Sequence, residues 1–173
     1  MATPSDHPAR PPAAQSAVSA EDGRPLAGGC TADGRIDRPD MLLIGAFARS
    51  SGKTELACRI IRRHADAAPV VGLKVTTVER TDGRCPHGDT GCGVCSSHAE
   101  PWVVSRELER EPPKDTCRLL ASGAHEVYWL RVLRSEVAGG AAELLRHVPA
   151  GRLSVCESNR LRTVVEPGLF LQV

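Results

Sequence analysis

The sequence predicts an α/β fold, a three-layer sandwich with a mostly parallel sheet and helices on both faces. From Met41 onward, short apolar runs alternate with segments of helical period, which is the pattern of strand–helix–strand units in a parallel sheet. A chain of 173 residues also lies near the length at which one domain is expected. The candidate strands are 41–46, 70–77, 125–133, 153–157 and 169–173, with helices at 53–66, 115–123 and 137–147 and a short turn or helix near 160–165.

Two stretches fall outside this alternation. Residues 1–40 hold six of the thirteen prolines and no aromatic residue, and such a composition buries too little apolar surface to offset the entropy lost on ordering the chain. We therefore expect a disordered leader over residues 1–40 and one folded domain over residues 41–173. Within that domain, residues 78–113 show no long apolar period, which predicts a Cys-rich loop, a hairpin or a metal-held insertion.

The charge balance argues against two classes of partner. Lys and Arg number 22 against 21 Asp and Glu, a net charge of +1, which is not typical of proteins that bind nucleic acid or anionic membranes. No run approaches the ~18 apolar residues of a membrane span, and the N-terminus lacks the pattern of a signal peptide, so we expect a cytoplasmic protein. In that compartment the seven cysteines are better explained as metal ligands, redox groups or small buried hydrophobes than as disulfides.

The segment MLLIGAFARSSGKTELACRII at residues 41–61 carries the strongest functional signal. An apolar strand runs into a small-residue loop, then GKT, then a helix, which is the context of a phosphate-binding P-loop. Lys53 would reach the β/γ oxygens of ATP or GTP, and the Thr54 hydroxyl would bind Mg²⁺. The strict GxxxxGK[ST] pattern departs at one position, since Phe47 stands where the first glycine is expected, and a chance GKT in a strand-to-helix turn is the alternative. The predicted phosphate-binding set is Ser50, Ser51, Gly52, Lys53, Thr54 and Glu55.

Glu157 is the candidate acid that such a site requires. P-loop enzymes need a carboxylate at the end of a neighbouring strand, to hold the water shell of the metal or to position the attacking water. The apolar run at residues 153–156 leads to Glu157, which places this carboxylate at the carboxyl end of a strand, where open α/β sheets bind their ligands. The alternative is an ordinary surface carboxylate that caps a turn.

Three cysteines within eleven residues predict a metal site. Cys85, Cys92 and Cys95 follow C-x₆-C-x₂-C with glycines between them, and glycine-rich turns let thiolates converge on one ion or cluster. A [4Fe–4S] cluster, with Cys117 or Cys156 as fourth ligand or with one iron left open, is favoured over Zn²⁺ because a second C-x₂-C pair is absent. A coincidental or redox-labile set, with Cys117 and Cys156 as buried hydrophobes, is the alternative. A Zn²⁺ site would take its fourth ligand from His87, His98, Cys117 and Cys156.

Two further motifs lie outside the P-loop. Lys74 stands near the end of the second strand in GLKVT, and Lys114-Asp115-Thr116 opens the next helix, followed by Arg118 and ASGA. Over about residues 41–173 this pattern resembles the molybdopterin-guanine dinucleotide biosynthesis adaptor (MobB) family, in the branch of P-loop NTPases that includes nickel and cobalt metallochaperones. The resemblance implies that Lys74 binds the nucleotide and that Asp115 is a second candidate catalytic acid beside Glu157.

The sequence therefore predicts a nucleoside triphosphatase that binds ATP or GTP with Mg²⁺ and acts as an accessory protein in metallocofactor or metal-centre maturation. Its partner would be a client metalloenzyme or a cofactor-biosynthesis protein, and the resemblance suggests pairing as a homodimer. The alternative is a non-catalytic, nucleotide- and metal-binding module that regulates or recognises a partner. Metal-dependent hydrolysis under multiple turnover separates the two.

Overall fold

One mostly parallel sheet forms the centre of the fold. The computed structural model describes residues 16–17, 29–48, 50–79, 100–111 and 114–173. The strands are β1 (Ser16–Ala17), β2 (Ile36–Gly45), β3 (Val71–Val78), β4 (Trp102–Arg106), β5 (Glu126–Leu133), β6 (Ser154–Glu157) and β7 (Val165–Gln172). Within the described residues their order is β1-β4-β5-β3-β6-β2-β7. The β1–β4 and β4–β5 pairs are antiparallel and the other neighbours are parallel, so the predicted α/β class is confirmed.

The helices cover both faces of this sheet. They are α1 (Lys53–His64), α2 (Asp115–Ala121) and α3 (Val137–Arg146), with 3₁₀ turns at Arg134–Glu136 and Leu161–Thr163. All three α-helices end within two residues of the predicted bounds. No helix in the described ranges combines the length and the apolar character that crossing a membrane requires.

Two apolar clusters hold the layers together, because alternate residues of a strand face opposite sides of a sheet. On one side, Leu144 of α3 packs in a cluster with Leu43 and Leu73. On the other, Ile61 of α1 lies in a cluster with the next residue of β2, Ile44, and with residues of α2. This alternation decides which strand residues can reach the loop that joins β2 to α1.

The first long strand begins at Ile36, so the predicted boundary of 41 is wrong by five residues. Charged residues at the start of β2 gave no apolar pattern in the sequence. Arg38 is nevertheless only 1% exposed, because it pairs with Asp40 at 2.8 Å between Nε and Oδ1. Of its two neighbouring strands, the start of β2 pairs with β7 and not with β6, because the pairing with β6 begins at Met41. Residues 36–40 therefore belong to the folded domain and not to the predicted leader.

Strand β4 is a regular element within residues 78–113, for which the sequence predicted a Cys-rich loop, a hairpin or a metal-held insertion. Trp102 pairs with Val132 and Arg106 with Tyr128 of β5, so residues 102–106 add an antiparallel strand to the sheet. Strand β7 likewise begins at Val165, four residues before the predicted start. Both strands are too short or too polar at their ends to show a clear alternation of apolar residues.

Candidate functional site

The candidate site lies at the carboxyl ends of β2, β6 and β3. Glu157 at the end of β6 is in register with Ile44 of β2 on one side and with Lys74 of β3 on the other. Val155 packs in the cluster formed with α1 and α2, and alternation puts Glu157, two residues later, on that same face. The acid predicted from the sequence therefore faces the start of α1.

The loop between β2 and α1 has a backbone suited to binding an anion. Ser50 has φ 55° and Gly52 has φ 90°, both in the left-handed region, which glycine adopts without steric cost. Turns of this kind direct successive backbone N–H groups into a concave surface that binds phosphate. The Ser51 hydroxyl is buried and has no hydrogen-bond partner among the described residues, so it is a polar group that a ligand in this loop would satisfy.

Lys53 and Thr54 occupy the first two positions of α1, a helix of 12 residues. The N-terminal end of a helix carries partial positive charge and free N–H groups, which adds to the anion-binding character of the loop. Within the described residues the ammonium of Lys53 forms no ion pair. The side chain of Glu55, in contrast, forms two ion pairs. Its carboxylate oxygens lie 2.9 Å from Nη2 of Arg118 and 2.9 Å from Nε of Arg59. Only its backbone N–H is therefore left for the predicted role.

A hydrogen-bonded network joins four side chains from four elements. The Thr54 hydroxyl donates to Glu157 Oε2 at 2.8 Å, and Lys74 Nζ lies 3.4 Å from the other carboxylate oxygen, Oε1. Lys74 Nζ also donates to Asp115 Oδ2 at the start of α2. The structure thus brings together Thr54, Lys74, Asp115 and Glu157, which sequence reasoning had proposed one by one.

Burial gives this network its electrostatic character. Glu157 is 7% exposed, Lys74 18% and Asp115 39% by side chain. Two carboxylates thus share one ammonium, in a partly buried place where an unpaired charge is costly. The hydroxyl and carboxylate oxygens are ligands that Mg²⁺ prefers, so Thr54 and Glu157 fit a magnesium ion carried by a nucleotide.

Glu107 fixes the start of α2 and was not predicted. Its carboxylate is buried and accepts hydrogen bonds from the Thr116 hydroxyl at 2.7 Å and from the amides of Leu108 and Glu109, both at 3.1 Å. Burial raises the pKa of Glu107, but the bonds from Thr116 and Glu109 and the charge of Lys114 outweigh it, so the pKa lies below its ordinary value. Because Thr116 is the second residue of α2, this contact anchors the end of the helix that carries Asp115.

Of the cysteines predicted as metal ligands, the described residues include only Cys117 and Cys156. Cys85, Cys92 and Cys95 lie outside the described residues, and the metal site proposed there stays a prediction. Cys156 is fully buried in the cluster on the α3 face, the side of the sheet opposite Glu157. Burial and the charge of Glu157 raise the pKa of the Cys156 thiol far above its ordinary value, which opposes the thiolate form that a metal requires.

Cys117 is the other candidate fourth ligand among the described residues. Its thiol is buried in α2 beside Glu107, and burial together with the charge of Glu107 raises its pKa. In the described ranges no three His, Cys, Asp or Glu side chains lie close enough together to hold a metal ion. The burial of Cys117 and Cys156 agrees with the alternative of small buried hydrophobes, and the role of either residue as a fourth ligand stays a prediction.

A cavity of about 440 Å³ surrounds the start of α1. Its walls are residues 50–55 of the loop and helix, with Asp115, Arg118 and Glu157. A larger cleft of about 680 Å³ adjoins it and shares Lys53, Asp115 and Glu157. Comparisons with protein-family models, with curated proteins and with solved structures gave no match to this chain.

Proposed function

We propose that this chain binds a nucleoside triphosphate, ATP or GTP, with Mg²⁺ at the loop between β2 and α1, and that it hydrolyses this nucleotide. The observation that carries the proposal is the contact of Thr54 with Glu157, 2.8 Å long, beside a lysine that follows a left-handed glycine. This set of groups supplies a cation and N–H groups for phosphate, and hard oxygen ligands for a divalent metal, in one small volume.

Each side chain takes a role that its position supports. The loop amides and Lys53 hold the phosphate chain, while the Thr54 hydroxyl and the Glu157 carboxylate would hold Mg²⁺, directly or through water. When bound, the ion neutralises charge on the phosphate oxygens. Lys74 holds the carboxylates of Asp115 and Glu157 in place from the β3 side. Fixed carboxylates suit the orientation of an attacking water.

The buried contacts of Glu157 also favour the second candidate function, a non-catalytic module. In this structure the carboxylate oxygens of Glu157 accept from Thr54 and Lys74, so direct coordination of a nucleotide-bound magnesium ion by Glu157 would change these contacts. A protein that uses the change to signal its nucleotide state to a partner needs no turnover. Hydrolysis measured under multiple turnover decides between the two functions.

The wider role that we propose rests on the sequence resemblance. The P-loop, the Lys74 motif and the helix that opens with Lys114-Asp115-Thr116 support an accessory protein of the cytoplasm that serves metallocofactor or metal-centre maturation. The cysteines at residues 85–95 would hold an Fe–S cluster or Zn²⁺ for that task. A client metalloenzyme or a cofactor-biosynthesis protein would be the partner, and two copies of the chain would pair across the nucleotide.

The decisive experiment measures nucleotide binding and phosphate release separately in matched variants. Lys53→Ala removes a charge-assisted contact and should weaken binding roughly ten- to a hundred-fold. Glu157→Gln keeps the shape of the side chain, and should leave affinity within about three-fold but lower turnover by about a hundred-fold or more. Arg62→Ala, on the exposed side of α1, is the control for loss of a cation from the same helix.

The outcomes separate the two functions clearly. If Lys53→Ala binds nucleotide as tightly as the wild-type chain, the proposal of a nucleotide site in this loop is wrong. Tight binding with no turnover in the wild-type chain supports the non-catalytic module. Turnover that survives in Glu157→Gln and in Asp115→Asn shows that neither acid has the catalytic role.

A further inference from the structure

A large cleft extends from the proposed phosphate site across β3 and β5. Trp129 of β5 is in register with Lys74 of β3, which is in register with Glu157 of β6, so these residues form one row across three neighbouring strands. The cleft of about 680 Å³ lies above this row and is bounded on one side by the start of α2. A volume of this size accommodates a small organic molecule.

The walls of this cleft carry two cations that form no ion pair in the described part of the chain. Lys114 and Arg160 line the cleft and form no ion pair within the described residues. Arg134 also lines it, but its guanidinium is paired with Glu79 at 2.7 Å between Nη1 and Oε1. Lys114 precedes α2 and Arg160 precedes the 3₁₀ turn at Leu161–Thr163, so the cleft offers two cations from separate parts of the chain to an anionic group.

Trp129 gives the same cleft an aromatic surface. Its indole N–H donates to the Thr76 hydroxyl at 2.9 Å, and this satisfies its polar group. The guanidinium of Arg131 lies 4.9 Å from the centre of the ring. What Trp129 offers to a ligand is therefore the flat apolar ring, which favours contact with another flat, unsaturated group.

We propose that this cleft binds a second small ligand beside the nucleotide, of the class that joins a phosphate or carboxylate group to a planar ring. The proposal rests on the proposed function in one respect, that the neighbouring loop holds the phosphate chain of a nucleotide. The base of that same nucleotide is the competing occupant. An uncharged base would leave Lys114 and Arg160 unpaired, whereas an anionic ligand uses both the cations and the ring. Because Lys53, Asp115 and Glu157 line the cleft and the loop cavity alike, the second ligand would contact the terminal phosphate.

Phenyl phosphate is a suitable probe because it carries one ring and one anionic group. We would measure its binding calorimetrically to the full chain saturated with a non-hydrolysable nucleoside triphosphate analogue and Mg²⁺, so that the loop is already filled. Inorganic phosphate and benzyl alcohol, each with one of the two features, are the comparison ligands. We expect phenyl phosphate to bind roughly ten-fold more tightly than either of them.

Variants assign the binding to the cleft. Arg160→Gln should weaken phenyl phosphate about ten-fold, while Arg62→Gln on the exposed side of α1 should not change it. Trp129→Leu should weaken phenyl phosphate and leave inorganic phosphate unchanged. Fluorescence gives a second readout that does not depend on calorimetry. The sequence holds two tryptophans, so Trp102→Phe leaves only Trp129, and phenyl phosphate should quench its fluorescence.

Three results would overturn or separate the proposals. If the nucleotide analogue abolishes binding of phenyl phosphate, the nucleoside occupies the cleft and there is no second site. If phenyl phosphate binds equally well to the Arg160→Gln and Trp129→Leu variants, it binds elsewhere, and the proposed site is wrong. If the analogue itself fails to bind but phenyl phosphate binds in a manner that depends on Arg160, the proposed nucleotide function fails while the site in the cleft stands.

Discussion

Substitution of Thr116 by valine tests how α2 and the site are held in place. Valine matches threonine in shape but removes the hydroxyl that donates to Glu107 Oε2 at 2.7 Å. Glu107 keeps its bonds from the amides of Leu108 and Glu109, both 3.1 Å, so its buried charge does not lose all its partners. The loss is that of one hydrogen bond to a charged group, about 1.5 to 3 kcal/mol of unfolding free energy.

The pH dependence of this loss has a definite sign. The pKa of Glu107 in the folded chain lies below its ordinary value of about 4.5. Such a group stabilises the fold above the unfolded-state pKa, and that contribution disappears as the pH falls through the folded-state pKa. Removing the Thr116 hydroxyl raises the folded-state pKa, so the difference between wild type and Thr116→Val should be full at pH 7 and smaller at pH 4.

Urea denaturation of both proteins at pH 7 and pH 4 measures these differences directly. Thr163→Val is the control, because the Thr163 hydroxyl makes an exposed bond of 2.8 Å to the uncharged carbonyl of Arg160, and we expect a change below about 0.5 kcal/mol there. In a domain of this size a loss of 1.5 to 3 kcal/mol lowers Tm by roughly 3 to 12 °C. Equal stability of Thr116→Val and wild type at pH 7 would refute the role given to Glu107.

Substitutions at Gly168 and Cys156 test the packing around the sheet. Gly168→Ala should destabilise the chain by about 3 kcal/mol or more, because a Cβ there would lie 2.1 Å from the carbonyl oxygen of Pro39. Gly29→Ala is the control, since the space around its new carbon is open. Similar urea midpoints for the two variants would contradict the predicted clash at Gly168. Cys156→Ala should retain nucleotide affinity and metal content. Cys156→Ser should unfold at a lower urea concentration than Cys156→Ala, because it buries a hydroxyl among apolar groups. Loss of bound metal in Cys156→Ala, measured by elemental analysis, would restore this residue as a ligand.

The sequence was informative where strands and helices carry a strong periodic pattern. The contact between Thr54 and Glu157 spans 103 positions, yet it follows from two local patterns, a strand that leads into GKT and an apolar run that leads to a carboxylate. Parallel strands bring such ends to one edge of the sheet. This is why the main acid and the start of α1 could be predicted together.

Features that depend on contacts between distant elements could not be predicted in this way. The five residues of β4 carry too little pattern to be separated from the irregular stretch around them. Glu107 has no local signal, since its importance comes from burial and from Thr116. The sequence placed Cys156 beside Glu157, whereas the pleat of a strand puts consecutive side chains on opposite faces.

The two attachment points of residues 79–101 lie on either side of β5. Val78 of β3 is in register with Leu133 of β5, and Trp102 of β4 with Val132, so the points are separated by two strand spacings, about 10 Å. About three extended residues can cover that span. The geometry of the sheet therefore requires only this minimum length of the connecting segment. The segment that carries the three clustered cysteines could thus be lengthened or shortened well beyond this minimum without moving the strands that position Glu157 and Lys74.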